Sequence, residues 1–283
     1  MCGRYASFRS AQDLADAFDV EQITDAAAQV AAGYNIAPTD PVRVVLERPA
    51  QSNPERLADN TGSADQRGGG KPAAGPHDDQ RPAAEAHDDA DPPDQNRGLV
   101  RGMHVARWGL IPHWAKDPGI GARMINARAE TVAEKSSFSA PLAKRRCIVL
   151  ADGYYEWHTE PAAGGGKPVK TPFYIRPTDG APIAFAGLYS WWPDPAREPG
   201  DPDRWVLSTT IITQAARDGL EEIHEREPAV LDHAVVNAWL DRDAGARTAL
   251  ELLEHPSPPL SWYEVDRAVG SVRNQGPHLI DPV

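Results

Sequence analysis

Cys147-Ile148-Val149-Leu150-Ala151-Asp152-Gly153-Tyr154-Tyr155-Glu156-Trp157-His158 reads as two short strands, Cys147 to Leu150 and Tyr154 to His158, rich in β-branched and aromatic residues. Pro172 to Ile175, Ile183 to Tyr189 and Trp205 to Thr213 continue the pattern downstream, and Gly164-Gly165-Gly166 suggests a hairpin between Tyr154–His158 and Pro172–Ile175. Upstream, Pro41 to Glu47 and Val105 to Leu110 are strand-like, whereas Gly33 to Thr39 reads as a loop. Helical spacing follows a capping Ser10 up to Val20 and returns at Ala215–Ile223 and Asp232–Asp241. The last of these has Val235, Val236, Trp239 and Leu240 as its buried stripe. Ile125 to Thr131 is expected to lead into a short helix, and Pro141 to Arg146 to end another. Many short strands with a few peripheral helices imply an α+β, sheet-dominated fold.

From about residue 49 to 98 the composition changes to Pro, Ala, Gly, Asp and Gln, without one aromatic residue. Arg81 to Asp89 echoes Lys71 to Asp79. Such a segment cannot bury enough apolar surface to offset its ordering entropy. We therefore expect a disordered insertion within a single domain spanning residues 1–283. Its paired His-Asp-Asp units read as a solvated tract, and no metal or other cofactor is expected.

The formal charge of −12 argues against a broad, non-specific grip on nucleic acid, but a local basic groove is compatible with it. Residues 51–98 hold ten acids against five bases, −5 of that total. No apolar run approaches a membrane span and no signal peptide is visible, so a cytoplasmic location is expected. Cys147 lies in an apolar run and reads as a small buried hydrophobe.

Cys2 is the unusual cysteine. Removal of Met1 exposes an α-amine (pKa ~7.7–8.0) and a thiol (~8.5) on one residue. Such an aminothiol attacks an amide carbonyl through sulfur, or condenses with an aldehyde through nitrogen and closes a thiazolidine through sulfur. Four polar interruptions of apolar segments accompany it: Asn126-Ala127-Arg128-Ala129-Glu130, Asp152 to Trp157, Thr209 to Thr213, and Ile223 to Pro228. Glu156, between Tyr155 and Trp157, is expected to have a desolvated, raised pKa suited to proton transfer. A histidine placed as His224 is, in a loop between helices, can gain or lose a proton near neutral pH. Each has a mundane alternative: Glu156 an edge-strand charge, His224 a helix cap, Arg128 a surface ion pair.

Taken in order, Met1-Cys2-Gly3-Arg4-Tyr5, Tyr34 to Pro38, Trp108 to Pro112, Ile125 to Thr131, Asp152 to Trp157 and Ile223 to Arg226 resemble the SRAP (SOS response-associated peptidase) family, as does Val272 to Pro277 at the end. The resemblance covers nearly all of the chain outside the insertion. It implies sensing of abasic sites in single-stranded DNA and a covalent thiazolidine through Cys2. It also implies lyase-like or thiol (auto)peptidase activity, and action as a monomer, nucleoid-associated when on DNA. By the same resemblance Glu156 shuttles protons, His224 assists sugar ring-opening, Asn126 orients the terminus or the sugar, and Thr213 is a supporting hydroxyl. Arg4, Arg128 and Arg226 hold phosphates, while Asn35, Pro38 and Trp108 contact bases. Glu227 departs from the family pattern, where it is expected to weaken a phosphate contact or to point harmlessly outward. Two other classes compete: an N-terminal-nucleophile amidohydrolase of the glutamine amidotransferase kind, and a non-covalent single-strand DNA-binding module in which Cys2 is incidental.

Overall fold

The computed structural model describes residues 3–49, 98–161, 166–198 and 200–283. Cys2, the expected disorder of the insertion and the triple-glycine hairpin tip therefore fall wholly or largely outside the described residues. The chain separates into two units, residues 1–48 with 100–283 and residues 49–99.

The N-terminal part runs β1 (Tyr5–Ser7), α1 (Ala11–Ala17), β2 (Gln22–Ile23), α2 (Asp25–Gln29), β3 (Gly33–Ile36), β4 (Pro41–Pro49) and β5 (Leu99–Trp108). The middle supplies β6 (Asn126–Arg128), α3 (Ser136–Lys144), β7 (Arg146–Ala151), β8 (Gly153–Glu160), β9 (Val169–Pro177), β10 (Ile183–Pro193) and β11 (Trp205–Ala215). β12 (Arg226–Pro228), β13 (Val230–Leu231), α4 (His233–Leu240), α5 (Ala246–Leu253) and β14 (Leu260–Glu264) follow. The fold is α+β and sheet-dominated, as its strand-rich pattern implies.

Five strands pair in the order β14-β9-β8-β1-β3. In the larger sheet β11, β10, β7, β4 and β5 follow one another, and β5 returns to β11 in parallel (Arg107 opposite Ser208, Trp108 opposite Thr209), which closes a barrel. All six residues of β7 are buried. Because side chains alternate across a strand, Ile148 and Leu150 pack with Leu14, Phe18, Leu142, Val236 and Trp239 of the helices. Cys147 and Val149 instead join Tyr5, Tyr154 and Ile175 of the smaller sheet. A strand buried on both faces reads as an uninterrupted apolar run, which is why this stretch was legible. Cys147 has no exposed surface, and burial pushes its thiol up to about 12.

Buried polar groups tie the layers together. Arg146 donates to the Trp239 carbonyl (2.7 Å), to Leu142 (2.6 Å) and Ala143 (3.0 Å), and to Asp241, satisfying carbonyls left over at the C-terminal ends of α3 and α4. Asp152 accepts the Phe8 and Arg9 amides (2.6 and 3.1 Å) and the Arg9 Nε–H (2.6 Å), fastening the chain after β1 to the β7–β8 corner.

Three local expectations are corrected. Gly33 to Ile36 is not loop but β3, paired antiparallel to β1 with Tyr5 opposite Ile36; its partner lies about 30 residues away and leaves no local signature. Asn126–Arg128 is β6, aligned parallel to β11, and the one α-helix that follows is α3, with Pro141 inside it. The helix expected at Ala215–Ile223 reduces to a 3-10 turn at Leu220–Glu222. Asp218 and Gly219 there have φ of 58° and 94°, which no continuous right-handed helix accepts.

Gly153 sits where the β7–β8 corner leaves no room: a Cβ there lies 2.3 Å from Cζ of the buried Tyr174 ring. Gly153→Ala is expected to lower stability by roughly 1–3 kcal/mol through overpacking, read from the urea midpoint; an unchanged midpoint contradicts this packing.

Candidate active site

β1 lies between β8 and β3, and this placement builds the site. Tyr5 stands opposite Tyr154, and the Tyr155 amide donates to the Arg4 carbonyl at 3.0 Å. Carried one step further, the same antiparallel register sets Gly3 opposite Glu156. Gly3 thereby lies beside Glu156 of β8. Cys2 itself lies outside the described residues.

Glu156 is 4% exposed, opposite Phe173 of β9. It lines a cavity of about 530 Å³ with Trp157, Thr159, Lys170, Pro172, His224, Arg267 and Gly270. Burial raises the Glu156 pKa, and the charge of His224 opposes that rise. His224 follows the 3-10 turn, its amide donating to the Leu220 carbonyl (3.0 Å). His224 Nδ1 lies 3.0 Å from the Arg226 amide nitrogen and 3.1 Å from the Arg226 carbonyl oxygen, so the Arg226 backbone holds the ring in place. A buried carboxyl with a raised pKa and an imidazole anchored through Nδ1 thus share one open cavity.

The other expected residues form a second group on β6, β11 and β12. Thr213, buried, stands opposite Arg128 of β6, and Asn126 opposite Ile211. Arg226 makes a two-pronged pair with Glu130 (2.5 and 3.0 Å) and donates to the Thr213 carbonyl (2.7 Å). That pairing holds the Glu130 carboxyl below the usual range. Arg128 is exposed. Glu227 does not point outward. It is 5% exposed and accepts from Gln214 Nε2 (3.0 Å) and Arg217 Nε (3.4 Å), holding β12 against β11.

Three assignments change. Trp108 has no exposed surface; its indole donates to the Ile125 carbonyl (3.0 Å) and its ring packs on Tyr5 at 5.1 Å, so it cannot stack on a base without opening the core. Trp114, six positions further on, is instead 60% exposed. Asn35 is equally buried: Nδ2 donates to the carbonyls of Val269 (3.1 Å), Ser271 (2.9 Å) and Asn274 (3.1 Å), while Oδ1 accepts from Arg4 (2.8 Å). Arg4 also donates to Val269 (2.9 Å) and Gly270 (3.3 Å) carbonyls. Both residues therefore clamp the C-terminal segment and leave little to offer a base or phosphate. Pro38 is half-buried in the turn before β4. The sequence reading missed Thr159, Lys170, Pro172, Arg267 and Gly270, which meet only through the β8–β9 pairing and the return of the C-terminus.

Because the native Glu156 carboxyl keeps its proton to higher pH than the unfolded chain does, stability falls as pH rises from the ordinary glutamate value (~4.3) through the raised one. Glu156→Gln is expected to abolish this decline and to be the more stable protein at neutral pH. Thermal unfolding from pH ~4 to ~8 reads it; parallel profiles for both proteins contradict it.

A family model described as SOS response associated peptidase (SRAP) matches residues 1–272. The abasic site processing protein YoaM of Bacillus subtilis (strain 168) is 30% identical over 283 residues, covering 99% of this chain and 98% of its own. The abasic site processing protein YedK of Escherichia coli (strain K12) is 38% identical over 179 residues, 62% of this chain and 73% of that one. The abasic site processing protein HMCES of Gallus gallus is 34% identical over 201 residues, 62% of this chain and 56% of that one. A crystal structure of a Bordetella bronchiseptica protein shares the fold at a TM-score of 0.60 and 20% identity, covering 94% of this chain and all of that one. By the family match over nearly its whole length, this chain belongs to the SOS response associated peptidase (SRAP) family.

Proposed function

We propose that this protein processes abasic sites in single-stranded DNA, and that it does so by covalent capture through Cys2 after removal of Met1. The observation that carries the reading is the convergence of Glu156 and His224 on one open cavity toward which the N-terminal stretch is directed. The names of the relatives, abasic site processing proteins, support the substrate class.

A ring-opened abasic sugar presents an aldehyde at C1′. The Cys2 amine adds to it, giving a carbinolamine, and loss of water gives an imine. The thiolate then adds to the same carbon while the nitrogen takes up a proton, closing the thiazolidine. Glu156, biased toward its protonated form by burial, supplies the proton that expels hydroxide as water and takes one back from the amine. The His224 imidazole, anchored through Nδ1 to the Arg226 backbone, gives a proton to the sugar ring oxygen as the ring opens. Asn126 and Thr213, on adjoining strands, orient the sugar or the terminus. Of the three arginines assigned to phosphates, Arg128 is the exposed one. Arg4 and Arg226 act by holding the site's walls. Trp114 takes the base-stacking role first given to Trp108, and Pro38 borders the strand. Autopeptidase action on Met1 and a cytoplasmic, nucleoid-associated location belong to this reading. No helix among the described residues is long and apolar enough to cross a membrane.

Purified protein of verified N-terminal mass, mixed with single-stranded DNA carrying one abasic site, is expected to give a heat-stable adduct on a denaturing gel. Cys2→Ala is expected to abolish the adduct while retaining strand binding. Absence of an adduct with the processed wild type overturns covalent capture. Glutamine turnover lost in Cys2→Ala would favour the amidohydrolase, and unchanged binding without any adduct the simple binding module. Trp114→Ala is expected to weaken binding by ~1–3 kcal/mol, the worth of one stacked base, in an anisotropy titration; unaltered affinity removes Trp114 from the interface.

A further inference from the structure

We propose that Lys170 and Arg267 form a phosphodiester-binding subsite at the mouth of the Glu156–His224 cavity. The inference rests on the single-strand DNA reading above and concerns how the strand is held rather than what chemistry follows. An abasic nucleotide has no base to read, so the charged handles left to the protein are the two phosphodiesters flanking the sugar.

Of the residues lining the cavity, Lys170 and Arg267 are the lysine and the arginine, and Glu156 is the one acid. Both cations are exposed, and neither has a side-chain hydrogen bond or ion pair among the described residues. This sets them apart from Arg4, spent on Asn35 and two carbonyls, and from Arg226, paired with Glu130. Lys170 stands opposite Thr159, three register steps (about 10 Å) from the Glu156–Phe173 pair, and by strand alternation shares its face with Thr159, Trp157 and Pro172, which line the same cavity. The nearby Glu160 lies 4.0 Å from His158 rather than pairing with Lys170. Arg267 opens the 3-10 turn Arg267–Gly270. The Asp266 side chain caps that turn by accepting the Ala268 amide (2.7 Å), and Arg4 and Asn35 fix its carbonyls at Val269 and Gly270. The guanidinium therefore springs from a backbone already held in place, which lowers the entropy lost when it meets an anion.

The test uses a fluorescent single strand with one central tetrahydrofuran abasic analogue, which lacks the aldehyde and so reports binding free of crosslinking. Anisotropy titrations at several salt concentrations are expected to show the slope of log K against log salt reduced by about 0.7 in each of Lys170→Gln and Arg267→Gln, one phosphate contact apiece on a single strand, and about twice that in the double variant. Arg247→Gln, at a residue 93% exposed on α5 and paired with Glu251, serves as the net-charge control and is expected to leave the slope unchanged. A double variant with the wild-type slope, or slopes that fall no further than the control's, overturns the subsite. Wild type that binds the analogue but forms no adduct with a true abasic strand overturns covalent capture alone, leaving the slopes to judge the subsite. Failure of the wild type to bind the analogue overturns the subsite as well.

Discussion

A strand of three residues, Tyr5–Ser7, has hydrogen-bonded neighbours on both sides, β8 and β3, and all three of its residues are buried. Most chain termini fray because nothing ties them down. Here Tyr5 packs edge-on against Trp108 and Phe185, and Asp152 holds the two amides that follow the strand. The register so imposed turns the preceding residues toward Glu156. The same burial that secures the strand also desolvates the carboxyl beside it, so position and acidity of the site share one cause.

Arginine is used here chiefly as structural cement. Arg43 and Arg146 are nearly inaccessible and donate to backbone carbonyls; Arg4 and Arg226 serve partly the same purpose. A guanidinium, with five donors in a rigid fork, satisfies several carbonyl acceptors at once, which a lysine ammonium does less well. The functional consequence is that counting basic residues in a motif overstates what is available to a phosphate. Glu227 illustrates the converse: an acid unusual at its place in the motif is spent on Gln214 and Arg217.

The C-terminal segment lines the site although it is remote from Glu156 in sequence. Gln275 bridges β3 through both ends of its amide, accepting from the Tyr34 N–H and donating to the Asn35 carbonyl (3.1 Å each). Asn35 takes three further carbonyls from the same segment. Arg267 and Gly270 reach the cavity wall by this route, so the cavity depends on contacts between residues more than 230 positions apart.

Residue types and their local order determined the strand-rich α+β class, the strand candidates from Cys147 to Thr213, the capped helices after Ser10 and Asp232, and the pairing of Glu156 with His224 as the ionisable groups of interest. These are short-range signals: alternation, caps and a charge set into an apolar run. Only the tertiary structure decided that Gly33–Ile36 and Asn126–Arg128 are strands, because their partners come from distant parts of the chain. It alone buried Trp108 and Asn35 while leaving Trp114 exposed, and it brought Lys170 and Arg267 to the cavity. Two tryptophans six positions apart look alike in sequence; which one meets solvent is set by the neighbours that the barrel closure brings, and exposure is a property of that packing.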